Sequence, residues 1–527
     1  MQKLCLAIFC LFLISSSFAI PSIDSTNCFF EGFLSKQQAL KDLELVKIAL
    51  LEAHPGLTLY QSKQEFEKQI DKLQYSLPDK VSIVAFFESI SQVVASIRCG
   101  HTSIQISKQQ MEKIQRIDAF FPFPLKIIDS RAWIDLSVEL NGKNMLGVEV
   151  VSINGVSTKK ILHLLTSLVT TDGNNKTLPV RYIEDHFYLY YFIFFGFSNQ
   201  FDLKIIDWTN SNTSSSFLNL RSQNIDAYQN ADTFAISSVS KQTVLENYKN
   251  RSSLSLFYKR ADQTSLTFLK DKHIAILNLA SFDNDELKKE KIHLKRFLKK
   301  SFKKITKNKT NSLVIDLRQN TGGDEGNEDL LLSYLVSKSY RKYKSVTIND
   351  PNYSFFKYTD FSKKWKKRKY KKKLKKEYIR DSLGVFTRRE GYFKPIKIRS
   401  PVFGGKLYVL LSGKVFSGAS EFITLLDQNR QAEFIGQESG GNYYANTSGE
   451  YIMVSLPESG FELTIPLCLY RLWVNKTPCR ENTFEVDKRP LNHGLIPKHE
   501  VSQTLIDLKN GKDTVIDYAL KLIEKQK

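Results

Sequence analysis

Beyond residue 19 the chain has no run of eighteen apolar residues, so nothing after that point reads as a membrane-spanning helix. Cysteine is scarce, six in 527 residues, and the four beyond residue 19 show no zinc-ligand spacing, which argues against a zinc module. Acidic residues are in deficit. There are 55 Asp and Glu against 76 Lys and Arg, a net charge of +21. That balance suggests an anionic partner, such as a membrane surface or an acidic polymer. No aromatic-stacking module surrounds the basic residues, and nucleic acid is not an expected partner. Apolar content is not short. At 42% hydrophobic and 12% aromatic the chain can bury a large core, and its length exceeds one ordinary domain.

Residues 1–19 read MQKLCLAIFCLFLISSSFA. A lysine, an apolar run and a small-residue end give the pattern of a secretory signal cut after Ala19. The expected locations are secreted or periplasmic, where disulfides are allowed. Cys5 and Cys10 would leave with the leader. Cys28, Cys99, Cys468 and Cys479 would remain, with three complete pairings open and Cys468–Cys479 the easiest local one. Cys99 reads as a structural thiol.

Two stretches carry the chemistry. Leu407–Gly441 reads LYVLLSGKVFSGASEFITLLDQNRQAEFIGQESGG. An apolar strand enters a Ser-Gly-Lys turn, and Ser417 falls at the start of a helix through Glu421, Phe422, Leu425 and Leu426. A serine there commonly serves as an N-cap. It also stands beside free backbone N–H groups and the positive end of a helix dipole, which suits acyl transfer. Ser312–Gly323 reads SLVIDLRQNTGG. Leu313–Leu317 reads as a buried parallel strand, and Gly322–Gly323 as a turn that lets backbone approach a ligand. A helix is expected over about Asn327–Val336. The two strand–turn–helix units read as neighbours in one sheet, with both loops aimed at one site.

LVIDLRQNTGG, VFSGASEF and FIGQESGG together resemble the C-terminal processing (tail-specific) serine peptidase family. They are closer to its tricorn-core-like branch than to its Ser–Lys branch. The position of the Ser–Lys branch's lysine is held here by Asn442. The tricorn-like branch uses a histidine in a phrase like GHT, and SIRCGHTS supplies His101. The resemblance implies Ser417 as nucleophile and His101 as general base. Gly418, with Gly322 or Gly323, would form the oxyanion hole. The branch's third catalytic residue, a glutamate, falls at Leu491, so Asp487, Glu438 and Glu450 remain candidate third members, and a backbone carbonyl is a further option. No metal or organic cofactor is implied, and the substrate would be a peptide or protein. The implied fold is multidomain α/β: an N-terminal helical domain, a PDZ-like β-rich domain and a crotonase-like ββα peptidase core.

In chain order, residues 20–110 are expected to form the helical domain, with helices over Gln37–Ala53, Phe66–Leu77 and Val81–Ile97. His54 reads as structural, stopping the first helix before Pro55. Residues 111–205 form the PDZ-like β-rich domain. Its phrase GVEVVSINGVSTKKILHLL reads strand, Asn-Gly turn, strand and helix from Thr158. It lacks a clear Gly-rich carboxylate loop, which leaves a scaffold or gating role beside chain-end capture. Residues 206–264 read as a polar linker. Residues 265–527 form the core, with a helix over Leu287–Ile305 and a Lys-rich insertion at 343–400. Lys363–Lys376 (KKWKKRKYKKKLKK) is either a solvated insertion or a face for an anionic surface. His493 reads as a loop histidine. The same fold also occurs in a retinoid carrier of the interphotoreceptor matrix, so the alternative to a peptidase is a non-catalytic carrier for an apolar ligand or peptide. A surface-binding protein acting through the lysine run would give Ser417 no role.

Overall fold

The computed structural model describes residues 32–114, 116–208, 231–253, 263–269, 272–382, 384–474 and 491–526. The leader motif, Cys28, Cys479 and Asp487 lie outside the described residues.

Three helices, Lys36–Ala53, Lys63–Ser76 and Ile83–Ser96, open the described chain. Ser35 and Ser62 close capping boxes with Gln38 and Glu65, and Ser82 accepts from Ala85 N. The first helix ends at His54, ahead of Pro55.

A six-stranded sheet organises the C-terminal half. Its strands run in the order Thr264–Leu269, Ile274–Leu279, Ser312–Asp316, Lys406–Leu411, Glu433–Gly436 and His499–Glu500. The first pair is antiparallel and the rest are parallel. Side-chain alternation divides the sheet's two faces. Leu313, Ile315, Leu407 and Val409 bury against helices Leu294–Lys307, Asn327–Leu332 and Gly418–Asn429. Val314, Tyr408 and Leu410 pack with Val515, Ile516, Ala519 and Ile523 of helix Thr514–Lys525. Both faces are covered, which is why these strands read as continuous apolar runs. Asp316 pairs with Leu410 in parallel register, so the loops that follow the two strands leave the sheet side by side.

A second sheet follows the order Tyr378–Arg380, Phe386–Arg388, Tyr343–Ile348, Glu462–Leu472 and Ala445–Ser455. The short strand Ser103–Gln105 joins it, with Ile104 opposite Leu463. This pairing brings the segment just after His101 from the helical part of the chain onto the core. A third sheet, in the order Asp232–Ser237, Gln200–Ile206, Glu149–Ile153, Arg131–Ile134 and Leu125–Ile128, forms the β-rich part. At its free edge Ile127 donates its N–H to Glu184 Oε1 (2.7 Å) and its carbonyl accepts from Arg181 Nη2 (3.2 Å). Helix Thr177–Phe195 thereby already pairs an outward donor and acceptor that an added strand would need.

The structure departs from the sequence expectations in three places. Residues 206–264 are not simply a linker: Asp232–Ser237 adds a strand to the third sheet, and Lys241–Lys249 is a helix anchored by Val244 and Tyr248. The helix expected over Leu287–Ile305 is two, Asn284–Lys289 and Leu294–Lys307, separated where Lys291 adopts φ 59°. The 343–400 segment contributes three strands to the second sheet. Its lysine run is a helix, Lys364–Glu377, held by buried Tyr370 and Leu374.

Candidate active site

Ser417 stands at the N-terminus of helix Gly418–Asn429 with φ 52° and ψ −129°, a conformation costly for a residue with a Cβ. It occupies the N-cap position but makes no capping hydrogen bond. The hydroxyl is therefore uncommitted, and the Gly418 N–H, first in the helix, lacks an intrahelical acceptor. The preceding turn is tied to the neighbouring strand end. Ser412 Oγ donates to Arg318 O (2.5 Å), and Lys414 Nζ donates to Gln319 Oε1 (2.9 Å). Arg318 itself is buried between Asp316 and Asp513, with contacts of 2.6–2.9 Å, and those two carboxylates push its pKa up against the cost of burial.

The glycine pair sits against this serine. A Cβ on Gly322 would lie 2.8 Å from Ser417 Cβ and 2.9 Å from Gly418 N, and its φ is +98°. A Cβ on Gly323 would lie 2.1 Å from Asp283 N. The two N–H groups are not equivalent. Gly322 N–H donates to Asn320 Oδ1 (2.9 Å), whereas Gly323 N–H donates to no described residue. Gly323 N lies 3.9 Å from the place a Gly418 Cβ would occupy. Of the pair, Gly323 and not Gly322 has an open donor beside the serine.

His101 arrives on a loop fixed from several sides. Its ring stacks on Phe416, with centroids 4.4 Å apart, and so stands beside the residue that precedes Ser417. Phe416 Cζ fills the space of a Gly100 Cβ, at 2.6 Å, so a side chain there would displace the stacking partner. No hydrogen bond joins Ser417 and His101. His101 Nδ1 is buried with no described hydrogen-bond partner. Burial pushes the imidazole pKa down to about 4, opposed by the charge of Glu421, so the ring is neutral at neutral pH.

Two carboxylates that the motifs did not mark shape this site. Asp172, buried in the loop before helix Thr177–Phe195, accepts from Gly100 N (2.8 Å) and Asn442 N (3.1 Å). Burial pushes its pKa up to about 6. Nearby, Gly173 N–H donates to Arg98 O and Asn174 N–H to Asn492 O. The loop thus ties the His101 segment to the Gly-rich turn after helix Gly418–Asn429. Glu421 lies one helical turn beyond Ser417. It accepts from Tyr343 Oη (3.0 Å) and Asn446 Nδ2 (2.8 Å), and it pairs with the buried Lys342 ammonium (2.9 Å). Lys342 also binds Glu328 and lies 3.6 Å from Asp329. The i, i+4 spacing of Ser417 and Glu421 was the available sequence signal for this residue; Asp172 gave none beyond an ordinary turn.

Of the candidate third members, the two described ones, Glu438 and Glu450, are not brought to His101. Glu438 accepts from Gly494 N and contacts His493 Nδ1, both at 3.0 Å, and Glu450 faces Lys373. Leu491 presents only its carbonyl, to Asn442 Nδ2 (2.9 Å). Asn442, where a lysine was the alternative, has its side-chain oxygen on Tyr444 N and Ala445 N. His54 is structural: Nε2 meets Thr102 Oγ1 at 2.7 Å, and Nδ1 accepts from Gly56 N. Cys99 is buried and its thiol is pushed up to about 12, which removes it as a thiolate nucleophile. Cys468 is a free, buried thiol. Among the described residues no His, Cys, Asp and Glu group could hold a metal.

Residues 273–468 match peptidase family S41. The chain carries an S41 peptidase domain. It is a serine peptidase domain, and the match spans both the Gly322–Gly323 turn and Ser417. No curated protein matches the sequence. Among solved structures, mature CPAF complexed with lactacystin is similar at a TM-score of 0.60 and 13% identity, covering 93% of this chain and 98% of that one. Mature CPAF alone gives 0.60 and 13%, covering 93% and 96%. At that identity the likeness speaks for a shared α/β fold over 93% of this chain.

Proposed function

We propose that this serine peptidase cleaves within peptide chains through an acyl-enzyme on Ser417, with His101 as general base. The observation that carries the reading is the meeting of an uncommitted serine hydroxyl, two open backbone donors and a neutral imidazole in one place. In the reaction, His101 takes the Ser417 proton as Oγ attacks the peptide carbonyl. The developing oxyanion lies between the Gly418 and Gly323 N–H groups, each of which is worth about 2.7–4 kcal/mol in comparable sites. His101 then returns the proton to the leaving amine, and water resolves the ester by the same route. A third side chain on the imidazole is replaced by a diffuse arrangement. Asp172 holds the loop backbone, and Glu421, one turn into the helix that Ser417 opens, favours the imidazolium electrostatically.

The β-rich domain suits gating better than capture of a chain end, because Arg181 and Glu184 already occupy its free edge at Ile127. A carrier for an apolar ligand is less well supported. The aromatics of helix Thr177–Phe195 that would line such a cleft, Phe187, Tyr191, Phe192 and Phe194, are packed in the core. The leader motif supports a secreted or periplasmic location. The test is hydrolysis of an unfolded protein such as reduced casein, followed by gel electrophoresis. Wild type should fragment it, and Ser417→Ala should not. Undiminished cleavage by the alanine variant would remove Ser417 from the mechanism.

A further inference from the structure

The lysine run forms a one-sided ridge. In helix Lys364–Glu377, Tyr370 and Leu374 are buried, and Lys367 lies over the Phe356 ring. The opposite face presents Lys364, Arg368, Lys369, Lys372, Lys375 and Lys376, all exposed, with Trp365 62% exposed at its start. None of these six cations has a carboxylate within ion-pair distance among the described residues. The nearby pairs involve Lys373 with Glu450 and Arg388 with Glu377. Six like charges on one face repel one another, and the fold spends two buried anchors to hold them there. From Lys364 to Lys376 the ridge is about 18 Å long at the helical rise of ~1.5 Å per residue. An extended chain of about five or six residues matches that length.

The helix that carries the ridge is tied to the strand Ala445–Ser455, which passes the site. Lys373 is paired to Glu450, and the next residue, Tyr451, packs its ring 6.4 Å from that of His101. We propose that the Lys364–Lys376 ridge is an exosite that binds an acidic, extended segment of the protein substrate and delivers the adjoining chain to the Ser417 cleft. This rests on the peptidase reading for the destination of the segment. The binding itself depends only on the ridge. Proximity to His101 favours a substrate segment over a lipid surface. The long Lys side chains suit a mobile acidic chain that is held by charge more than by fixed geometry.

The test uses the full chain carrying Ser417→Ala and a fluorescein-labelled oligoglutamate peptide, read by anisotropy at low ionic strength. The ridge variant is Arg368→Gln/Lys369→Gln/Lys372→Gln. The control is Lys299→Gln/Lys300→Gln/Lys303→Gln, which removes the same charge from exposed positions on helix Leu294–Lys307. The ridge variant should bind about tenfold more weakly, from three lost surface pairings, and the control should bind within about twofold of the parent. High salt should abolish the binding. Equal loss in both triple variants, or no loss in the ridge variant, overturns the proposal. So does ridge-dependent binding of phosphatidylserine vesicles without peptide binding, which assigns the ridge to a membrane. In chains that keep Ser417, the ridge variant should raise KM for casein and leave kcat and the rate of fluorophosphonate labelling unchanged. Failure to label either chain would count against the peptidase reading and leave the anisotropy result to judge the ridge.

Discussion

His101 is positioned through its backbone. Gly100 N–H is held by Asp172, the ring leans on Phe416, and Nδ1 has no described acceptor. Asp172 therefore sets a pH dependence. Its carboxyl is pushed up to about 6 from 3.8, so the folded state keeps this proton longer than the unfolded one. The ionised form costs the folded state stability as pH rises from about 4 to 6. Activity follows the opposite course, because the bonds from Gly100 N and Asn442 N are stronger to the carboxylate than to the neutral acid. Tyr60, Cys99 and Tyr451, titratable groups that feel its charge, are all raised by burial and stay neutral across this window. Fluorophosphonate labelling of the wild type should fall as pH drops through about 6. In Asp172→Asn one N–H loses its acceptor, so the plateau rate should drop about tenfold, and the acid limb should move toward about 4, where His101 protonates. An unmoved limb would show that Asp172 does not control the loop. At this scale the candidate site residues were legible, because Ser417, His101 and the glycine pair each stand in a short local phrase. Asp172 and Glu421 were not, because their partners lie far along the chain and burial leaves no local pattern.

The helix Gly418–Asn429 is seated on a buried charge cluster. Lys342 holds Glu421 on this helix and Glu328 on the neighbouring one, and burial among carboxylates raises Glu328 to about 7. Lys342→Met would strand these acids in the interior. The expected loss is about 3–5 kcal/mol in urea unfolding, and adding Glu421→Gln should recover part of it. The turn opposite is equally constrained. Gly323→Ala would push a Cβ into the Phe282–Asp283 backbone at φ +146°, so a stability loss of about 1–3 kcal/mol is expected, with slower acylation. Most helices were readable from apolar periodicity. The elements in 206–264 and 343–400 were hidden by composition. In each, two buried residues at i, i+4 spacing, Val244 with Tyr248 and Tyr370 with Leu374, hold a helix whose other residues are mostly polar or basic.

Across the whole molecule, the site is assembled from three parts of the chain. The helical part brings His101, the β-rich part brings Asp172, and the mostly parallel sheet brings the glycine pair and Ser417. The strand Ser103–Gln105 and the Asp172 loop make the joins. The order of motifs announced the core sheet, whose strands are apolar runs followed by turns. It did not announce the joins, which depend on pairings between distant segments such as Ile104 with Leu463. The C-terminal helix is fastened from outside the site, by Asp513 on Arg318. Asp513→Ala should lower unfolding stability by about 3 kcal/mol and change labelling of the folded protein less than about twofold. A large drop in labelling well below the unfolding transition would mean that this anchor reaches the nucleophile.

The central claim is that Ser417 is a nucleophile activated by His101. The direct measurement is to incubate the purified chain with a fluorophosphonate probe and locate the adduct by peptide mass spectrometry, in wild type and in His101→Ala. The account expects one adduct, on Ser417, lost or strongly slowed in His101→Ala while the fold is retained. An adduct on another serine, or labelling of Ser417 at an equal rate in both chains, would contradict it.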